Sequence, residues 1–331
     1  MAEYKGIKGF KVQYLSADPS DPIVGQIWYN DTSKDLKFTE FTAAAWATGG
    51  NMGTARHKNI GSAGTQTAAL GFGGYIGAPT YSTNATEEYD GSSWSGGGNL
   101  GTARYYLAGS GTQTAALGFG GNPGIPPSGV GATEEYDGSA WTGGGNLGTS
   151  RQSLGGCGTQ TAALAFGGRN PPVTVLGSTE EYNGATWVSN PTGLNTVRQA
   201  PGGAGTQTAG LAFGGDDPSP GLLSATEQYD GTSWTTSPGS LNTARGFLAG
   251  CGTQTAALAF GGAAPSNTGA TEEYDGLTWS TSNPLNTARN EISGAGTQTA
   301  ALAFGGITTV STGATEEWTG AGLTTKTVTV S

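Results

Sequence analysis

The chain has 331 residues, of which 61 are glycine and 15 proline, and 24 acidic against 14 basic residues give it a net charge of −10. Glycine plus proline at about 23 % nears the range of low-complexity disorder, but that rule applies to compositions without a period, and these glycines recur on a fixed beat. An acidic surface repels phosphate backbones and argues against a nucleic-acid partner, and no apolar stretch is long enough to insert in a bilayer as a helix.

In chain order, the opening "MAEYKGIKGFKVQYL" lacks the uninterrupted apolar core of a signal peptide, so a soluble chain made in a cytoplasm is expected. Residues 1–50 carry four strand signals: "FKVQYLS" (10–16), "GQIWYN" (25–30), "DLKFTEF" (35–41) and "AAAW" (43–46). Their "TEF" and tryptophan line up with "EEY" and tryptophan farther on, so the stretch scans as a diverged repeat.

From residue 51 one unit repeats six times. The glutamines of "GTQTA" stand at 66, 113, 160, 207, 254 and 298, at spacings of 47, 47, 47, 47 and 44. An arginine precedes each: Arg56, Arg104, Arg151, Arg198, Arg245 and Arg289. "TEEYDG" or a close relative follows, then a tryptophan: Trp94, Trp141, Trp187, Trp234 and Trp279. Trp46 fills that slot one period earlier, while the last unit has Trp318 for its tyrosine and Leu323 in the tryptophan slot.

Each unit predicts four strands. A short apolar stretch after the arginine is the first. "QTAALAFGG" is the second, with a bulky and a slim apolar face, as in sheets covered on both sides. "ATEEYDG", ending in a turn signal, is the third, and the tryptophan segment is the fourth. Four short antiparallel strands per period predict an all-β propeller, in which no blade can cover both faces alone. Chain length over period gives about seven units, so seven blades are expected, with 1–50 the first. Six blades plus an N-terminal β-hairpin docking element is the alternative.

Little in the unit offers chemistry. The single histidine, His57, sits between Arg56 and Lys58 and reads as a surface residue, which removes most catalytic triads and ordinary zinc sites. Cys157 and Cys251 share one slot two periods apart, too far to bridge, and read as small core fillers. The arginine ring could grip an acidic sugar, but symmetric copies point to symmetric places, so a bidentate Arg–Glu pair within or between blades, holding the stack in register, is expected. Adjacent glutamates such as Glu87 and Glu88 point to opposite faces of a strand and cannot share a proton. The Asp-Gly turns supply too few oxygens for calcium alone, and the glycine pairs lack the Lys-Ser/Thr and helix of a phosphate loop. No catalytic residue, cofactor or metal is expected.

The repeat resembles the kelch family in four marks found in order: Arg245, Gly261–Gly262, Tyr274–Asp275 and Trp279, with counterparts in the other units. The likeness spans residues 52–320 and implies a propeller. It departs from the family in "YDG" for Tyr-Asp-Pro and in the near identity of the repeats. A lone histidine argues against the copper centre of kelch-like oxidases. "SDPIVGQIWYNDTSKDLKF" resembles the Gly-x-x-Trp-Tyr-Asn modules of bacteriophage tail and fibre proteins, which form compact β-hairpins. Together the two resemblances imply a virion structural protein (tail fibre, spike or tail-associated) made in the host bacterial cytoplasm.

Propeller geometry puts the second-to-third loops on the face opposite the "GTQT" and "YDG" turns. The turns barely change, whereas the loops differ completely: "YIGAPTYSTN" (75–84), "NPGIPPSGVG" (122–131), "RNPPVTVLG" (169–177), "DDPSPGLLS" (216–224), "AAPSNTG" (263–269) and "ITTVSTG" (307–313). Varied loops on a rigid frame suit recognition. Tyr75, Tyr81, Asn122, Arg169, Asn170, Asp216, Asp217 and Asn267 are the candidate binding residues, toward other virion proteins or a host-surface glycan or protein. Homo-oligomerisation is left open. A cytoplasmic interaction scaffold and, third, a glycan-active enzyme are the competing readings.

Overall fold

A computed structural model describes residues 12–124, 129–171, 174–219 and 221–328, and among them there is no helix. Residues 10 and 11 of the first strand signal, and 125–128, 172, 173 and 220 of the varied loops, lie outside the described residues. The chain divides into two compact units, residues 46–319 and residues 1–45 with 320–331.

The larger unit holds six four-stranded sheets, one per repeat, numbered here 1 to 6. Sheet 2 shows the pattern: Ala108–Thr112, Ala115–Phe119, Thr133–Tyr136 and Trp141–Gly143 pair in that order, all antiparallel. Its second strand has no solvent face. Leu117 and Phe119 point one way and pack on Ala163, Ala165, Tyr182 and Trp187 of sheet 3. Sheet 3 repeats the arrangement with Leu164 and Phe166 against Ala212, Tyr229 and Trp234 of sheet 4. A bulky face thus nests on a slim one at each junction, and every fully buried Leu or Phe there contributes roughly 1.5–3 kcal/mol. The second strand ends where Gly120 and Gly121 take φ of 68° and 107°, left-handed values that turn the chain out of the sheet.

The repeated polar letters bind one sheet to the one before. Gln113 Nε2 donates to the carbonyls of Ala69 (3.0 Å) and Tyr89 (2.7 Å), and its five counterparts do the same. Trp141 Nε1 donates to Thr86 Oγ1 at 2.9 Å, and its ring packs on Phe72 with centroids 4.7 Å apart. Tyr136 donates its hydroxyl to Glu88 Oε1 at 2.5 Å. The first strands, Gly61–Gly64, Ala108–Thr112, Gly155–Gly158, Gly202–Thr206, Ala249–Gly252 and Ser293–Gly296, each touch the next, and the sixth touches the first. Together these six line a narrow bore, with one cavity of about 80 Å³ at their start and one of about 140 Å³ at their end. The arrangement is propeller-like and all-β.

Strand pairing departs from a seventh repeat at residues 1–50. The strands Gln13–Leu15, Ile27–Asn30, Asp35–Thr42 and Gly322–Thr327 form a sheet in the smaller unit, with the first two parallel. Ile27–Asn30 alternates half-buried and buried residues, so it lacks the two fully covered faces that nesting requires. Asp18 braces this sheet by accepting from Trp28 Nε1 (3.0 Å), Asn30 Nδ2 (2.7 Å) and Lys37 Nζ (2.8 Å). The fourth strand signal goes elsewhere: Ala45–Thr48 is the outer strand of sheet 6. Trp46 there donates to Thr271 Oγ1 at 3.0 Å and packs on Phe260 and Trp318. Trp46 therefore serves the last repeat, and Leu323, expected in that slot, instead pairs with Phe41 in the smaller unit.

Candidate functional site

The arginine ring is fully buried. Arg151 Nη1 donates to the carbonyls of Gly167 (3.1 Å) and Ser178 (2.8 Å), and Nη2 to Glu180 Oε1 at 2.5 Å. Glu180 Oε2 accepts the Gly148 N–H at 2.6 Å. The pair is therefore not bidentate as expected, because the guanidinium divides its donors between carbonyls and one carboxylate oxygen. It lies within one repeat and pins the incoming connection to its own sheet, while the glutamines, tyrosines and tryptophans bind neighbouring sheets. The ion pairs at Arg56, Arg104, Arg198, Arg245 and Arg289 occupy the equivalent positions. Burial lowers the Arg151 pKa, and the Glu180 charge opposes that.

Glu87 pairs with Arg56, whereas Glu88 accepts from Tyr136 of the next sheet, so the two carboxylates do separate work. Cys157 and Cys251 are free and buried, their thiols pushed up to about 12 by desolvation. Asp90 in its turn accepts from the N–H groups of Ser92 and Ser93, at 2.8 Å each.

Among the sequence candidates, Tyr75, Asn122, Arg169 and Asp216 occupy one slot, just after the glycine pair. Each bridges the residue that follows its arginine: His57, Tyr105, Gln152 and Gln199. Asn122 is buried and donates to Gln152 Oε1 at 2.6 Å, and Asp216 accepts from Gln199 Nε2 at 2.9 Å. Asn267 donates to the carbonyls of Ile307 and Thr308 in the next loop, and Asp217 accepts the Ser219 N–H. Arg169 and Asn170, both half-buried, form one side of a two-residue ladder with Val175 and Thr174. These polar candidates brace the loops. Tyr81 differs: it is 48 % exposed, with φ 60°.

A cluster that the sequence reading missed lies at the mouth of the bore on this face. The residues two places after the arginines, Lys58, Tyr106, Ser153, Ala200, Phe247 and Glu291, all take left-handed φ between 47° and 62°. Their backbones form a belt in which the N–H of Tyr106 donates to Lys58, Ser153 to Tyr106, Ala200 to Ser153, Phe247 to Ala200 and Glu291 to Phe247. At the sixth junction, between Glu291 and Lys58, no such backbone bond is made among the described residues. Tyr106 donates its hydroxyl to Glu291 Oε1 at 2.5 Å, and desolvation raises the pKa of both groups.

His57 belongs to this cluster, correcting its expected place on the surface. It is 6 % exposed, because the bridge to Tyr75 turns the segment inward and lays the imidazole edge-on against the Tyr75 ring. Its Nδ1 lies 2.8 Å from Ser311 Oγ and its Nε2 3.6 Å from Glu291 Oε2. That carboxylate is beyond hydrogen-bond reach, and burial, aided by the Lys58 charge, holds the imidazole down to about 4, hence neutral. The Lys58 ammonium stands 3.8 Å over the Tyr75 ring and 4.9 Å from the Tyr105 centroid. The hint in the sequence is spacing: four residues separate Arg56 from the start of the first strand at Gly61, against three between Arg104 and Ala108.

No protein-family model matches the chain, and no curated protein matches it.

Proposed function

We propose that residues 46–319 are a closed six-bladed propeller and that the protein is a non-enzymatic structural component of a bacteriophage virion. In that role, as tail fibre, spike or tail-associated element, it presents its varied face to a host-surface or virion partner. One observation carries the reading. The letters the six repeats share are engaged in bonds within and between sheets, and the letters they do not share gather on the single face of the second-to-third loops. A frame of that kind holds unlike side chains in fixed places without offering a repeated reactive group. The kelch-like marks support the propeller, and the likeness of residues 20–38 to phage tail modules supports the virion setting.

The test replaces loops 75–84 and 169–177 with Gly-Ser segments of equal length. The expected result is loss of particle adsorption or assembly with an unchanged urea midpoint of the purified protein. Unchanged adsorption and assembly would remove the reading. Antibody labelling of particles in negative stain should place the chain on the tail, and unlabelled particles would count against the virion setting.

A further inference from the structure

The varied face is not uniform. Among the described residues, its aromatic side chains come from the first two repeats, apart from Phe247. They form a continuous arc in which Tyr81 and Tyr75 have centroids 5.9 Å apart, Tyr75 and Tyr105 5.6 Å, Tyr105 and Tyr106 5.3 Å, and Tyr106 and Phe247 6.3 Å. The arc starts at the exposed rim with Tyr81 and ends at the mouth of the bore, where Tyr106 holds Glu291. Lys58 lies along it, over Tyr75 and Tyr105.

We propose that this arc is a subsite for a neutral hexopyranose unit of a glycan, with Tyr81 as the stacking surface and the Lys58 ammonium and Glu291 carboxylate as hydrogen-bonding partners. The proposal rests on the reading of this face as the binding face. Three features lead to the ligand class. Vicinal sugar hydroxyls both donate and accept, which matches a donor (Lys58), an acceptor (Glu291) and a phenol held between them. The C–H face of a pyranose is complementary to the electron-rich face of a tyrosine ring. Glu291, Asp216 and Asp217 outnumber Lys58 and Arg169 on the same face, and with a net charge of −10 this disfavours an acidic sugar.

The scaffold has no need of these groups. Five junctions of the axial belt close through a backbone carbonyl, whereas among the described residues no backbone bond joins Glu291 to Lys58 at the sixth. Burial penalises the charged form of the Glu291 carboxylate, yet 15 % of that side chain still reaches solvent. The adjoining Lys58 and Asn59, with φ of 62° and 45°, are two successive non-glycine residues in left-handed conformation, where the first repeat carries its extra residue. A buried carboxylate and a second consecutive left-handed residue in one place, absent from the sister repeats, mark a site.

The experiment titrates the full chain with glucose, galactose, mannose and N-acetylglucosamine, with glucuronic acid as the acidic comparison, followed by saturation-transfer NMR. At least one neutral hexose is expected to bind, more tightly than the acid. Glu291→Gln, which still accepts from Tyr106, should weaken that binding roughly tenfold or more, with an unchanged or higher thermal midpoint. Tyr81→Ala should weaken it about three- to tenfold. Absence of neutral-hexose binding, preference for the acid, or wild-type binding by both variants would overturn the subsite. The two ideas fail separately. Loop grafts that abolish adsorption in a chain that binds no hexose would leave the face's role standing and end the subsite. Harmless grafts beside hexose binding by the unaltered chain would do the reverse, since the 75–84 graft itself removes Tyr75 and Tyr81 and should lose that binding.

Discussion

Replacement of Trp46 by alanine tests where sheet 6 takes its outer strand. Trp46 lies 225 residues from Thr271, whose hydroxyl accepts its Nε1 hydrogen at 3.0 Å, and it packs on Phe260 and Trp318 with centroids 5.0 and 5.2 Å away. At 6 % exposure it is as buried as Trp187 at 9 %, which makes the same bond between sheets 3 and 2. A buried tryptophan removes about 150–250 Å² from water, an upper estimate of about 4–6 kcal/mol. Measured Trp→Ala losses of roughly 3–5 kcal/mol already contain the cavity left behind. Trp46→Ala and Trp187→Ala should therefore each cost about 3–5 kcal/mol. Leu323→Ala, at a residue 42 % exposed in the smaller unit, should cost under about 1 kcal/mol. Equilibrium urea unfolding followed by far-ultraviolet circular dichroism reads all three as midpoint shifts at constant m value. A Trp46→Ala loss below about 1 kcal/mol, or a Leu323→Ala loss equal to it, would refute the assignment of residues 45–48 to sheet 6.

Other consequences follow from the buried pairs and the axial cluster. Arg151→Met leaves Glu180, with its side chain 1 % exposed, without its cation and should cost about 3–5 kcal/mol, whereas Arg151→Met with Glu180→Gln should lose less than the sum of the singles; additive losses in that double-mutant cycle would deny the coupling. His57, as the single histidine, gives an unambiguous ring signal in NMR titration. Its folded value of about 4 lies below the ordinary 6.5, so its contribution to stability is full above pH 6.5 and is lost as pH falls toward 4; a titration midpoint at or above 6.5 would refute its burial. Tyr89, Tyr136 and Tyr182 are pushed up to about 12 by burial and by the glutamates that accept their hydroxyls. Their contribution is full below pH 10 and is lost between pH 10 and about 12, so the urea midpoint should drop across that window and drop less in Tyr136→Phe/Tyr182→Phe; a flat midpoint would refute it.

The sheets were legible in the sequence because each bond between neighbours demands the same residue in the same slot. Gln113, Tyr136 and Trp141 recur for that reason, and the bulky and slim faces of "AALAF" are the two surfaces that nest. Trp46 was rightly placed in the period but in the wrong repeat. Alternation and turn letters report local strand formation, whereas the partner of Ala45–Thr48 is chosen by a sheet some 270 residues away whose own repeat has no tryptophan in the fourth-strand slot. The axial cluster escaped for a different reason. No glycine marks the six left-handed residues, and Glu291, Tyr106 and Lys58 meet only because the sheets bring the end of the chain beside its beginning.

The exceptions within the repeated slots separate frame from site. Gln228 stands where the other repeats have a second glutamate, and its Nε2 donates to the Tyr274 hydroxyl at 2.9 Å, with the direction of the bond reversed and the junction kept. Trp318 replaces a tyrosine and gives its Nε1 hydrogen to the Gln298 carbonyl at 2.9 Å, within its own sheet. Asn183 takes the turn slot of Asp90 and accepts the same two backbone N–H groups. Each of these substitutions keeps a hydrogen bond in its slot, as a slot bound to the fold requires. The slot two places after the arginine obeys no such rule: its common bond is made by the backbone, so the side chains there are free to be ammonium, phenol, hydroxyl, methyl, phenyl and carboxylate in turn. Freedom from the frame permits a site without requiring one. What points beyond drift is that the costly choices, a buried carboxylate and two consecutive left-handed residues, fall side by side at the junction of the last repeat with the first.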